Sequence, residues 1–217
     1  MRRLERADAT LSISKWMRSL WSANASDRPS PFPTLTNSIL GLTAAGAIYI
    51  SITSEPGALG ILGASLALVM LAIAVIDWRS FIIPDALNAA GAILGIIYAI
   101  AQKPDAMLQT AALAASRGGL IALIFFALRY SYARLRGRQG LGLGDVKLAF
   151  VAGVWLDWLL IPIAIQMAAF AALSAYLLRQ FISGQSISAA NRMPFGLFFA
   201  PAIWVCWVLQ VRWLDGF

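Results

Sequence analysis

The sequence at residues 142–158 reads GLGDVKLAFVAGVWLDW and places a carboxylate, Asp145, directly before an apolar run. A second carboxylate, Asp77, directly follows the apolar run 66–76. Carboxylates beside membrane-length apolar segments are costly and are usually kept for a function. Two of them at the same depth of a bilayer indicate an aspartyl protease that works at or inside the membrane.

The composition is that of a membrane protein. The 217 residues are 60% hydrophobic and 12% charged, with a mean hydropathy of +0.75. A helix needs about 20 apolar residues to cross the roughly 30 Å hydrocarbon layer. We therefore expect an all-α, polytopic transmembrane bundle of about seven spans, of which the fifth is short. The expected spans are 36–52, 58–76, 84–101, 107–128, 146–156, 159–178 and 195–212.

The net charge of +7 follows the expected topology. With a cytoplasmic N-terminus and seven crossings, 14 of the 17 Lys and Arg residues fall on the cytoplasmic side. Lys103 and Arg212 lie outside, and Arg117 lies within a span. The basic residues thus predict a lipid bilayer, and no nucleic acid, as the partner. We expect Arg117 to snorkel or to pair with a polar neighbour.

The residue types that the chain lacks exclude several kinds of catalytic and metal site. The chain has no histidine and one cysteine, Cys206. A Ser-His dyad, an HExxH zinc site and a CxxC zinc site are therefore excluded. We expect no metal and no cofactor, and we expect Cys206 to be a buried apolar thiol.

Three segments organise the chain. Residues 1–35 are predicted to form a cytoplasmic amphipathic segment, with a helix over 11–24, and a proline-rich linker. The helix is expected to lie in the membrane interface, and docking onto a partner protein is the alternative. Residues 36–57 form an extra N-terminal span and a short turn. Residues 58–217 form the core that carries both aspartates.

The predicted topology returns the chain to one leaflet for both aspartates. Span two ends, and span five begins, at the cytoplasmic side, with two full crossings between them. Gly140, Gly142 and Gly144 permit a tight backbone entry and the close approach of a substrate strand. Because span five is short, either the bilayer is thinned there or Asp145 lies below the cytoplasmic surface in a wet pocket. The alternative for Asp145 is a helix cap, which does not explain Asp77 at the negative end of its helix.

Tryptophans near the span ends are expected to form an interfacial belt. Trp78, Trp155, Trp158 and Trp213 are predicted to belong to it. Trp204 and Trp207 lie deeper and are expected to pack between helices.

Three motifs resemble those of the type IV prepilin peptidases. Residues 77–85, DWRSFIIPD, resemble the family's first-aspartate motif, and residues 140–148, GLGLGDVKL, resemble its GxGD motif. Residues 193–196, MPFG, are similar to the Pro-Phe-Gly that opens its last helix. The resemblance covers about 58–212 and implies a six-helix peptidase core. It also implies supporting roles for Pro84, Asp85, Gly142, Gly144, Lys147, Pro194, Phe195 and Gly196.

The resemblance implies a substrate and a mechanism. The substrates would be prepilins or pseudopilins, whose basic leader is removed next to a glycine on the cytoplasmic side of the bacterial inner membrane. Close carboxylates share a proton. One of Asp77 and Asp145 would therefore deprotonate the attacking water, and the other would protonate the carbonyl oxygen.

Two supporting residues have competing or local interpretations. Asp85 follows Pro84 and is expected to cap span three. Lys147 is expected either to snorkel to phosphate or to hold an acidic group of the substrate, since prepilins of this family commonly carry a glutamate shortly after the cut.

The chain departs from many family members in one respect. The methyltransferase region with its CxxC pairs has neither cysteines nor room here, since about five residues link spans one and two. N-methylation is therefore not expected. The alternatives are a presenilin-type or signal-peptide-peptidase-type protease, a non-catalytic pilus or secretion assembly factor, and a transporter with a buried acid pair. The sequence does not indicate which pilin or secretion system the protein serves or which oligomeric state it adopts.

Overall fold

The computed structural model describes residues 33–137, 140–183 and 194–214, and within them it has seven α-helices and no strands. A 3₁₀ turn, Pro104–Ala106, precedes the fourth helix, and a π turn, Gln210–Leu214, extends the last one. The all-α prediction is confirmed. The helices are α1 (Pro33–Ser54), α2 (Ala58–Ser80), α3 (Asp85–Gln102), α4 (Met107–Arg136), α5 (Leu143–Trp155), α6 (Leu160–Ser183) and α7 (Gly196–Leu209).

Each of the seven predicted spans corresponds to one helix. Among the described residues, six helical segments are long and apolar enough to cross a membrane, and α5, with 13 residues, is not one of them. The chain is therefore a multi-pass membrane protein. The number of crossings and the cytoplasmic N-terminus stay predictions. The predicted interfacial helix at 11–24 lies outside the described residues.

The short helix α5 is the centre of the bundle. Nine of its residues are buried, and it packs against α3, α4 and α7. Small residues allow this close packing, as is usual between membrane helices. A Cβ atom at Gly153 would lie 2.7 Å from Cα of Gly118 on α4, and one at Gly118 would lie 2.8 Å from the Phe150 carbonyl oxygen. The backbones of α4 and α5 are thus almost in contact.

Arg117 closes the C-terminal end of α5. Its guanidinium pairs with Asp157 at 2.9 Å and donates to the carbonyl oxygens of Gly153 at 2.7 Å and Val154 at 3.3 Å. These last carbonyls have no partner within the helix, and a cation is favourable at this end of the helix dipole. The predicted pairing of Arg117 is confirmed, and its site is a helix terminus.

Trp155 belongs to the core. Its side chain is 1% exposed, stacks on Tyr98 with ring centroids 4.9 Å apart and donates to the Gly91 carbonyl at 2.8 Å. The prediction that Trp155 belongs to the interfacial belt is therefore wrong, because α3 covers the end of α5. Trp207 and Cys206 are buried, as predicted, while Trp158 and Trp213 are exposed.

The contact between α4 and α5 predicts opposite effects at two neighbouring glycines. Gly118→Ala should destabilise the fold by ~1–3 kcal/mol, because the new methyl group meets a backbone oxygen that cannot move aside cheaply. Gly119→Ala should be neutral or stabilise by up to ~1 kcal/mol, because a Cβ there meets no atom within 4 Å. Thermal unfolding of the purified variants in detergent measures both effects. Equal stability of the two variants would contradict the packing.

Candidate active site

Asp77 lies in the last turn of α2 and is 4% exposed. Its Oδ2 atom accepts a hydrogen bond from the backbone N–H of Leu197 at 2.9 Å, and the N–H of Gly196 is directed at the same carboxyl group. Both donors belong to the first turn of α7, where N–H groups have no partner within the helix. The positive end of α7 thus stabilises a carboxylate that the end of its own helix disfavours.

Asp145 is the third residue of α5 and is 9% exposed. Its Oδ2 atom accepts a hydrogen bond from the Gly142 N–H at 3.0 Å. The carboxylate therefore closes the N-terminus of its own helix, so the capping interpretation is correct as a description of this contact. Capping and a chemical role do not exclude each other, since a carboxylate has two oxygen atoms.

Ile83 brings the two aspartates together. The chain leaves α2 through Phe81 in the left-handed region (φ 55°), and Pro84 then starts α3. Ile83 lies in this short connection, and a Cβ at Gly144 would be 2.9 Å from Cβ of Ile83. Ile83, in the first-aspartate motif, thus packs directly against the GxGD motif.

Gly196 completes this contact. A Cβ there would be 2.7 Å from Cδ1 of Ile83 and 2.9 Å from Oδ2 of Asp77. Asp77 is also near enough for its charge to act on the Asp145 carboxyl group. The arrangement thus holds two buried carboxylates within electrostatic reach of each other.

The glycines of the GxGD motif serve contacts within the protein. Gly144 was expected to admit a substrate strand, but the chain that approaches it here is the segment around Ile83. Gly142 has φ −73° and ψ 153°, a conformation open to any residue. A Cβ atom at Gly142 would lie 3.0 Å from Oδ2 of Asp145, so it would crowd the carboxylate.

The Pro-Phe-Gly segment sets the start of α7. Pro194 is buried, and Phe195 is the residue that precedes the helix. The ring of Phe195 packs on Phe199 with centroids 5.3 Å apart, and Phe199 stacks on Phe125 of α4 at 5.9 Å. This aromatic contact fixes the helix end that holds Asp77.

Arg129 is a part of the site that sequence reasoning missed. Its guanidinium, near the end of α4, donates to the carbonyl oxygen of Leu141, and its charge acts on Asp145. From the sequence, Arg129 was predicted only to be one of the 14 cytoplasmic Lys and Arg residues. Its position in a basic stretch gave no sign that it turns back onto the GxGD loop.

Asp85 and Lys147 form an ion pair at the edge of the site. Lys147 Nζ lies 2.6 Å from Asp85 Oδ1, with side chains 48% and 74% exposed. Asp85 was expected to cap α3, and this prediction is wrong. Pro84 occupies the cap position and no side-chain cap bond forms, so Asp85 is already in the first turn and extends to α5. Lys147 was predicted to reach a lipid phosphate or an acidic group of the substrate, but in the structure it pairs with Asp85 of α3.

Among the described residues, no three His, Cys, Asp or Glu side chains are placed to hold a metal ion. The expectation that this site uses neither a metal nor a cofactor stays a prediction.

A comparison with protein families matches residues 64–177 to the type IV leader peptidase family. This range contains both aspartates.

Curated relatives agree with that match. A prepilin leader peptidase/N-methyltransferase from Aeromonas hydrophila is 27% identical over 172 residues, which cover 76% of this chain and 54% of the relative. A protein of the same name from Dickeya chrysanthemi is 34% identical over 144 residues, which cover 65% of this chain and 48% of the relative. The leader peptidase HopD of Escherichia coli is 31% identical over 127 residues, covering 58% of this chain and 78% of HopD. The chain thus spans about half the length of the first two relatives. No solved structure matches it.

The exposed ion pair predicts a small coupling energy. A double-mutant cycle with Asp85→Asn and Lys147→Met should give below ~1 kcal/mol of interaction in thermal unfolding, because water screens both groups. Arg117→Met with Asp157→Asn is the matched comparison and should give a larger value, since the Arg117 side chain is only 17% exposed. A larger coupling for Asp85 and Lys147 would contradict this assignment.

Proposed function

We infer that this chain, which belongs to the type IV leader peptidase family, is a membrane-embedded aspartyl endopeptidase that removes the leader of type IV prepilins or pseudopilins. The observation that carries the proposal is that Asp77 and Asp145 are both buried and lie within electrostatic reach of each other, where Ile83 packs against Gly144 and Gly196. The names of the relatives support the choice of substrate.

The proposed mechanism uses the two carboxylates as a pair. One deprotonates the attacking water, and the other protonates the carbonyl oxygen of the scissile bond. The two roles belong to the coupled pair, which shares one proton. The N–H donors of α7 and of Gly142 keep each carboxylate in place, so little reorganisation is needed during the reaction.

We further propose that cleavage occurs at the cytoplasmic face of the bacterial inner membrane. In the predicted topology, the C-terminal end of α2 and the N-terminal end of α5 lie in the cytoplasmic leaflet, where a basic leader is also retained. A helical substrate must unfold locally before its peptide bond is attacked. A glycine at the cut lowers that cost by ~1 kcal/mol relative to alanine.

The proposal is limited to peptidase activity. Two of the relatives are named as N-methyltransferases as well, and this chain spans about half their length. In this chain α1 ends at Ser54 and α2 begins at Ala58, so their connection has no space for a further domain.

Removing either acid should abolish cleavage. Asp77→Asn and Asp145→Asn should each lower the rate of prepilin cleavage by ~10³-fold or more, because each partner must exchange a proton. Asp105→Asn, at an exposed position before α4, is the matched control and should cleave like the wild type. Cleavage of a purified prepilin in detergent or liposomes, read by mass spectrometry, measures the rate.

Two outcomes would refute the assignment. Substantial cleavage by either Asn variant would rule out the proposed aspartyl mechanism. If the folded wild-type protein leaves every prepilin uncut, a role in assembly without catalysis becomes the better interpretation.

The position of Asp77 should be sensitive to a single methyl group. Gly196→Ala places a Cβ against Oδ2 of Asp77 and Cδ1 of Ile83, and should slow cleavage by ~10²-fold through displacement of the carboxylate. Gly41→Ala on α1, where a Cβ meets no atom within 4 Å, is the control and should leave the rate unchanged. An unaffected rate in Gly196→Ala would show that this contact is not needed.

Inhibitor classes provide a separate test of the mechanism. A zinc chelator and a serine-protease inhibitor should leave prepilin cleavage unchanged, because the sequence has no histidine and one cysteine. Loss of activity with the chelator would reveal a metal dependence that the two-carboxylate mechanism does not contain.

A further inference from the structure

A cavity of about 400 Å³ lies between the N-terminal turns of α3 and α5 and the middle of α4. Its volume is in the range of ligand-binding pockets. It is an open pocket at the protein surface, and the exposed Asp85–Lys147 pair lies at one end of it. The lining residues are Asp85, Asn88, Ala89, Ala92, Ala122, Val146, Lys147 and Phe150.

The cavity wall contains an unusual polar group. Asn88 is 4% exposed, and neither its side-chain nitrogen nor its oxygen has a hydrogen-bond partner in the part of the chain that the structure describes. A buried amide without partners is costly, and native proteins rarely keep one without a reason. The other polar side chains of the wall, Asp85 and Lys147, pair with each other, and the remaining lining residues are apolar.

The cavity adjoins the candidate catalytic pair along the chain. Val146 and Lys147 line it, and Asp145 directly precedes them on α5. The cavity therefore begins within one helical turn of Asp145 on α5, although neither aspartate lines it.

We propose that the cavity is a substrate subsite in which the Asn88 carboxamide pairs with one peptide group beside the scissile bond. The inference rests on the proposed peptidase function and names the part of the enzyme that holds the opened substrate chain. The terminal torsion of an asparagine is soft, so the carboxamide turns toward the occupant at little cost.

The chemistry of Asn88 selects a peptide as the occupant. A carboxamide has both N–H donors and a carbonyl acceptor, and a peptide group presents one of each. A substrate unwound at the cut exposes these groups, which then need hydrogen-bond partners. A lipid chain has neither group and would leave Asn88 without partners.

The first test separates binding from folding. Asn88→Leu removes the donor and the acceptor at similar size, and should raise KM for prepilin by ~10-fold while kcat changes little. Its thermal stability should equal or exceed that of the wild type, because no described protein group pairs with the Asn88 side chain. A fall in stability with an unchanged KM would assign Asn88 a structural role and overturn the proposal.

The second test identifies the group that Asn88 binds. Synthetic prepilin peptides carry one N-methyl group at successive positions around the cut, and each is assayed with wild type and Asn88→Leu. One position should lose ~10-fold in kcat/KM with the wild type and nothing further with Asn88→Leu, as expected for partners in one interaction. Additive losses at every position would contradict the pairing.

Filling the cavity provides the third test. Ala122→Leu projects into the cavity and should raise KM, whereas Ala127→Leu, at an exposed position on the same helix, is the matched control. If lipid occupies the cavity, Ala122→Leu and Asn88→Leu will both cleave like the wild type, and the subsite is refuted. Cleavage by the wild type in the same assays keeps this failure distinct from a failure of the peptidase function.

Discussion

The burial of a 13-residue helix among longer neighbours is the constraint on which this structure depends. At 1.5 Å per residue, α5 extends over about 20 Å, less than a bilayer core. It is stable there because α3, α4 and α7 cover it and because Arg117 binds the carbonyls of Gly153 and Val154. A helix that begins inside the bundle places Asp145 in a buried position, which a full-length span with the same motif would not do.

The same constraint explains why both carboxylates are tied to helix N-termini. Asp145 closes its own helix, and Asp77 accepts hydrogen bonds from the start of α7. Each contact offsets part of the cost of removing a carboxylate from water. Ile83 packs against both Gly144 and Gly196, so the same side chain that packs these segments together also helps to position the site. Stability and site geometry thus depend on the same few contacts.

The sequence predicted the helices and the pair of aspartates but not the contacts around them. Span length and the order of the charges are visible in the chain, and they predicted the positions of the seven helices in the sequence. Several helices are apolar on every face, so periodicity does not reveal which side is inside. This is why the buried position of Trp155, the contact of Arg129 with Leu141 and the Asp85–Lys147 pair appeared only in three dimensions.

The central claim is that Asp77 and Asp145 meet, and cysteine cross-linking tests it most directly. Asp77→Cys and Asp145→Cys are combined in a Cys206→Ala background with a protease site inserted after Gly137, and a short thiol cross-linker is added in native membranes. After proteolysis the two fragments should remain joined on a denaturing gel. The control pair of Asp77→Cys with Asp157→Cys, at the opposite end of α5, should separate. Separation of the 77/145 pair, or equal joining of both pairs, would contradict the account.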